Sequence, residues 1–135
     1  MNDCLFCKIT RQEIPSALIY QDETVFAFLD IKPVAPGHLL IVPKQHSEGF
    51  HDADPAVLAK LLPMIQTLAA KLVTATNAEG YNLIQNNKPA AGQVIPHLHY
   101  HLIPRFEGDG LEPWHGTPYA SEADMKAMQE KIQNA

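Results

Sequence analysis

Between Gly92 and Pro104 the chain reads Gly92-Gln93-Val94-Ile95-Pro96-His97-Leu98-His99-Tyr100-His101-Leu102-Ile103-Pro104, with three histidines alternating with apolar residues. An extended segment sends every second side chain to one face, so His97, His99 and His101 share a side and Leu98, Tyr100 and Leu102 face the core. Same-side residues stand roughly 7 Å apart, close enough for three imidazoles to act on one ligand. A water-exposed polar strand face is the bland interpretation. It explains one histidine better than three at period two. Two chemical interpretations remain, a metal cluster or a phosphate site with a histidine nucleophile. Adjacent rings on a twisted strand diverge, which disfavours a metal held by all three. The Gly92-Gln93 entry lets backbone approach a ligand and turn its amides toward phosphate, which favours the second.

Gly92-Gln93-x-x-x-His97-x-His99-x-His101-x-x-Pro104 resembles the signature of the histidine triad family of nucleotide hydrolases and transferases. The likeness extends to Asp30-Ile31-Lys32-Pro33-Val34-Ala35-Pro36-Gly37-His38-Leu39-Leu40-Ile41-Val42-Pro43-Lys44 and to Cys4-Leu5-Phe6-Cys7-Lys8-Ile9, covering residues 4–105 and leaving 106–135 as a tail. It implies an α+β fold, a five-stranded antiparallel sheet with one long and one short helix, assembled as a homodimer through edge strands and helices. Pattern alone gives α+β with five strands.

The whole chain, 135 residues, suits one domain with a single core. A net charge of −5, with no Lys/Arg cluster, argues against a long nucleic-acid footprint and leaves a single nucleotide feasible. Met1-Asn2-Asp3 opens no basic or apolar leader, and no apolar run in the sequence suggests a membrane span, so a cytoplasmic protein is expected.

The two cysteines form Cys4-x-x-Cys7. A cytosolic disulfide is disfavoured, and no strand precedes the pair as a redox motif would require. A zinc half-site fits better, against the plainer alternative of two ordinary thiols near a terminus. The resemblance implies that His46 and His97 complete the site as a structural zinc centre, leaving the other histidines to chemistry that needs no metal.

Coarse elements follow from local pattern. A helical turn is expected over Cys7–Glu13, ended before Ile14-Pro15. Strands are expected over Ala17–Tyr20, Thr24–Leu29, His38–Pro43, Tyr81–Gln85 and the histidine segment. Asp54-Pro55 starts a long helix running to about Asn77 with Gly80 as its stop, kinked or split at Pro63. Ser121 opens a short helix whose Met125, Met128 and Ile132 form a packing stripe.

The resemblance also assigns roles. His99 is the nucleophile toward the α-phosphorus, forming a nucleotidyl-histidine, with its other ring nitrogen on the His97 carbonyl. His101 contacts the phosphate or departing group, and His38 supports the triad from behind. Asn86, the amides after Gln93 (Val94 first) and a protonated His101 are candidate phosphate donors, with Gly92 giving close approach. Asp30 takes the ribose hydroxyls. Leu5, Phe6, Ile9, Phe28 and Ile31 match the purine slot; by periodicity alone they are equally core. Val94 stands where phosphoramidase members carry a serine, so a hydroxyl beside the leaving group is missing. No Trp-ended tail is evident, since Trp114 lies well before the terminus.

The sequence therefore points to a purine nucleotide hydrolase acting on nucleoside phosphoramidates or nucleotidyl esters. A dinucleoside polyphosphate hydrolase, suggested by Val94 and Arg105, and a nucleotide-binding interaction module are the alternatives. A zinc-storage or redox protein leaves His99, His101 and Gly92-Gln93 unexplained.

Overall fold

The computed structural model describes residues 3–135; Met1 and Asn2, on which the expectation of no leader partly rests, lie outside the described residues. Helix α1 (Leu5–Thr10) leads into strands β1 (Leu18–Gln21), β2 (Val25–Leu29) and β3 (Leu39–Pro43). Helix α2 (Pro55–Thr76), strands β4 (Gly80–Gln85) and β5 (Tyr100–Arg105) and helix α3 (Glu122–Gln133) follow. One sheet runs in the order β1-β2-β3-β5-β4, every neighbouring pair antiparallel. The α+β architecture with a five-stranded antiparallel sheet and a long helix is as expected.

Tight local chemistry sets the first hairpin: Asp22 Oδ1 accepts from the Thr24 and Val25 amides, both at 2.8 Å, closing the turn between β1 and β2. After β3 the chain crosses the sheet as α2, so β4 lands on the far edge and β5 returns between β3 and β4. That return puts the histidine segment in the middle of the sheet.

The two faces carry different cores. On the α2 side, Leu98, Tyr100 and Leu102 pack with Val25, Ala27, Leu39 and Ile41 beneath Leu61, Ile65, Leu68, Ala69 and Leu72. The helix contributes these residues at spacings of three and four, and each large buried aliphatic stabilises the fold by roughly 1.5–3 kcal/mol. On the opposite side, Phe6 and Ile9 of α1 cover Phe26, Phe28, Leu40 and Val42. The histidines lie on this second face.

Several expectations need correction. Helix α1 begins two residues earlier than Cys7 because the Cys4 side chain caps it, accepting from the Cys7 amide at 3.5 Å. It ends at Thr10, with Gln12 at a φ of 60° beyond. Of the kinked and split alternatives for α2, the split is excluded: the helix is continuous through Pro63, which lies on the solvent side where the Ala59 carbonyl can find water. Its stop is Asn77, left-handed at a φ of 54°, whereas Gly80 already starts β4. By length and composition alone α2, with 22 residues and a mean hydropathy of 1.5, is apolar enough to cross a membrane, contrary to the sequence reading. Here its apolar stripe covers the sheet. The Met125, Met128 and Ile132 stripe of α3 is exposed and, among the described residues, belongs to neither core cluster.

Candidate active site and metal cluster

The histidine segment is only partly strand. Regular pairing starts at Tyr100; His97 and His99 stand in the approach, where the Leu98 amide donates to the Ser47 carbonyl at 2.8 Å instead of to a neighbouring strand. The three rings nonetheless keep to one side. They are not a water-exposed face, since His97 is 0% and His99 5% exposed.

His97 turns away from the other two, toward α1. Its Nδ1 lies 3.4 Å from Cys4 Sγ, 3.5 Å from Cys7 Sγ and 3.2 Å from His46 Nδ1, and Cys7 Sγ lies 3.4 Å from His46 Nδ1. A tetrahedral zinc with ordinary bond lengths requires sulfur–nitrogen edges of about 3.6 Å and a nitrogen–nitrogen edge of about 3.3 Å, so the cluster has the size of such an ion. The tautomer fits as well. His97 Nε2 donates to the Pro43 carbonyl at 2.8 Å, leaving Nδ1 as a lone pair among the sulfurs. Burial, foremost, holds the His97 pKa down to about 4, keeping the ring neutral as a ligand must be. Burial, helped by hydrogen bonding to Cys4, pushes the Cys7 thiol up to about 11 in the metal-free chain, a value that a bound cation reverses. Cys4, Cys7, His46 and His97 thus form a group able to hold a metal ion.

His99 points into a cleft of about 400 Å³. Its Nδ1–H donates to the His97 carbonyl at 2.6 Å; a carbonyl only accepts, so Nε2 is left unprotonated. Phe6 packs edge-on against both rings, its centroid 5.1 Å from His99 and 5.9 Å from His97. Burial lowers the His99 pKa, which keeps the lone pair available at neutral pH.

His101 stands in a lateral row. Phe28 pairs with Leu40, Leu40 with His101, and His101 with Ile84, so one residue from each of β2, β3, β5 and β4 faces the site in register. Behind it, His38 Nε2 lies 2.9 Å from His101 Nδ1, and the Val34 amide donates to His38 Nδ1 at 3.1 Å. Burial lowers the His38 pKa, and burial followed by the neighbouring His99 and His38 takes His101 down to about 4. The protonated His101 expected from sequence is therefore corrected to a neutral ring at pH 7.

These depressed values fix a stability prediction. A histidine harder to protonate in the fold than in the unfolded chain contributes full stability above about 6.5 and loses it as pH falls through about 4. Denaturation midpoints should drop steadily across that window, because the unfolded chain takes up protons that the folded rings refuse. A midpoint that stays level from pH 6.5 to 4 would contradict the buried neutral rings.

Asp30 sits at the end of β2 on the cleft wall, its Oδ1 accepting from the Lys32 amide at 2.8 Å and its Oδ2 3.8 Å from His38 Nε2. The loop that follows is pinned at Gly37, whose φ of +101° suits glycine and whose added Cβ would meet Thr76 Cγ2 at 3.0 Å.

Of the residues singled out by sequence, Leu5, Phe6, Phe28, Asp30, Ile31, Gly92, Val94, His99 and His101 line the cleft. Ile9 lies behind the wall in the buried cluster. Asn86 is beside Gly92, its Nδ2 3.7 Å from where a Cβ would stand, but off the cleft wall. Gln93 is a brace: Oε1 accepts from the Lys88 amide at 2.7 Å and Nε2 donates to the Glu48 carbonyl at 2.6 Å. Its own amide donates to the Lys88 carbonyl, which leaves Val94 as the first amide past the brace. Sequence reading missed Leu29, Lys32, Leu40 and Ile95 on the wall. Alternation along β3 could have found Leu40. Arg105, read as favouring a dinucleoside polyphosphate substrate, is committed to Asp109 at 2.7 and 2.8 Å and to Asn82 at 2.7 Å.

Comparison with known proteins agrees with this geometry. The model of the HIT domain matches residues 11–108. An adenosine 5'-monophosphoramidase of Candida albicans is 42% identical over 89% of this chain and 80% of its own length. An adenylylsulfatase of Arabidopsis thaliana is 43% identical over 82% of this chain and 56% of its own. The crystal structure of a member of the HIT family from Bacillus subtilis superposes with a TM-score of 0.89 at 34% identity, covering 98% of this chain and 96% of that one. With His97, His99 and His101 on one side of the sheet and a matching domain over most of its length, the chain belongs to the HIT, or histidine triad, family of nucleotide hydrolases.

Proposed function

We propose that this protein is a purine nucleotide hydrolase that cleaves nucleoside phosphoramidates or nucleotidyl esters through a covalent nucleotidyl-histidine on His99. One observation carries the proposal. The 2.6 Å bond from His99 Nδ1 to the His97 carbonyl leaves Nε2 as a neutral lone pair facing the cleft, the state a nitrogen nucleophile needs. Attack on the α-phosphorus expels the leaving group, and water then releases the nucleotide. The Val94 amide and the His101 Nε2–H are the donors available to the phosphoryl oxygens, where fixed dipoles act most strongly in a dry site, and Gly92, its own amide held by the Pro89 carbonyl, gives close approach. Leu5, Phe6, Phe28, Leu40 and Ile31 offer an apolar slot for the base, with Asp30 as ribose acceptor.

The Cys4–Cys7–His46–His97 group is proposed to hold a structural zinc, which would tie α1 to the histidine segment and take no part in the chemical step. A homodimer is supported by the open edge of β4, where Tyr81 and Leu83 are exposed beside Leu62 of α2. Commitment of Arg105 to Asp109 and Asn82 leaves Val94 alone in favour of a dinucleoside polyphosphate substrate.

The test is intact mass spectrometry, quenched without acid, after mixing with adenosine 5'-phosphoramidate. One nucleotidyl group per chain, mapped to His99, is the expected result; tight nucleotide binding without any adduct would leave an interaction module instead. Asp30→Ala should raise KM roughly 10-fold for ribonucleotide substrates with little change in kcat. Equal KM values for the two proteins would remove Asp30 from the ribose site.

A further inference from the structure

Cys4 and Cys7 do not line the nucleotide cleft, yet the short helix that carries them forms part of its wall. The Cys7 amide donates to Cys4 Sγ at 3.5 Å, and both sulfurs approach the same His97 Nδ1, at 3.4 and 3.5 Å. All four ligand atoms of the cluster lie within 4.8 Å of one another. One helical turn sets the two cysteine Cα atoms about 5 Å apart, inside the range of about 4.4–6.8 Å that a disulfide spans. The sulfurs can therefore hold a metal as a pair or bond to each other, and not both.

Their exposure differs. Cys4, at the start of α1, is half-buried, whereas Cys7 is 5% exposed. A dissolved oxidant reaches Cys4 first and finds Cys7 placed to complete the reaction. Once both thiolates are consumed, only His46 and His97 remain, two ligands where a tetrahedral ion needs four. Helix α1 then keeps its place only through the packing of Phe6 and Ile9 on Phe26, Phe28, Leu40 and Val42. Leu5 and Phe6 line the cleft, and Phe6 stands edge-on to His99, so what loosens α1 reaches the nucleotide.

Resting on the structural-zinc reading above, we propose that Cys4 and Cys7 are a hydroperoxide-responsive thiol pair, whose oxidation to a disulfide empties the metal cluster and weakens nucleotide binding. In the first step the Cys4 thiolate attacks one oxygen of hydrogen peroxide. An S–O bond forms, the O–O bond breaks, and its electron pair leaves on the other oxygen, which takes a proton from solvent to become water. In the second, the Cys7 thiolate attacks the Cys4 sulfur. The S–S bond forms, the S–O bond breaks, and the hydroxide takes a second solvent proton. Two electrons pass from the sulfurs to the peroxide. A thiol reductant reverses the change by exchange, so the disulfide is a transient state and the reduced pair the resting one.

The test is a titration of the zinc-loaded full chain with hydrogen peroxide, read by a chromogenic zinc chelator, by peptide mass spectrometry and by equilibrium binding of adenosine 5'-monophosphate. Zinc release should keep step with a Cys4–Cys7 disulfide, and the dissociation constant of the nucleotide should rise roughly tenfold, to the value of chelator-stripped protein. Thiol reductant followed by zinc should restore both. Met125 and Met128, 50% and 41% exposed, serve as internal references for general oxidation. Sulfoxides on these methionines while zinc is retained would overturn the proposal, as would sulfinic acid on Cys4 without a disulfide. A disulfide that leaves nucleotide affinity unchanged would overturn it too, with the structural zinc intact. A reduced chain that takes up no zinc at all would instead sink the zinc reading, and this one with it.

Discussion

His99→Ala should abolish the nucleotidyl adduct and lower kcat/KM by roughly 10⁴-fold or more while nucleotide binding persists. The ring touches the His97 carbonyl and the edge of Phe6, and alanine leaves the backbone of the approach segment to be held by the Leu98 contact with Ser47. Binding should therefore survive the loss of chemistry. His101→Ala should do less, since it removes one donor to the phosphoryl group and leaves the nucleophile in place. Equilibrium binding of adenosine 5'-monophosphate measured beside turnover separates the two effects. A His99→Ala protein retaining more than about a hundredth of the wild-type rate would place the covalent step elsewhere or remove it.

Cys7→Ser should strip the metal and cost the domain more stability than any surface change. Cys7 is 5% exposed and within 3.5 Å of both His46 and His97 ring nitrogens, so a serine there adds no bulk and loses only the thiolate ligand. We expect metal content to fall from about one zinc per chain to none, and the melting temperature to drop by roughly 8 °C or more, corresponding to about 2 kcal/mol in a domain of this size. Chelator should bring wild type down to the variant's value and leave the variant where it is. Identical melting curves for the two proteins in zinc-replete buffer would dismiss a structural ion.

How much of this was legible in advance can be traced to individual residues. Alternation from Leu98 to Leu102 correctly divides core from site, because burial on one face enforces period two whether or not the ladder is formed. It does not reveal that pairing begins at Tyr100, since the detour of His97 toward the cysteines depends on contacts some ninety residues apart. The early start of α1 was hidden because cysteine is not among the usual capping residues, and its capping here follows from its place in the metal cluster. Leu40 on the cleft wall is a matter of register between β2, β3 and β5, which no local window contains. Arg105 looked free because its partner Asp109 sits in an irregular loop with no pattern of its own. The neutral state of His101 is a consequence of burial and of an amide in another loop, neither visible in the histidine motif.

Helix α1 has only six residues, too few to persist as a helix without anchors. It supplies Cys4 and Cys7 to one site and Leu5 and Phe6 to the other. If the proposed zinc is one anchor and the proposed purine another, the two ligands order the same small segment, and each tightens the other by an identical factor. A protein wired in this way reads metal supply as nucleotide occupancy: depletion of the ion would loosen the base slot before it touched the reacting histidine.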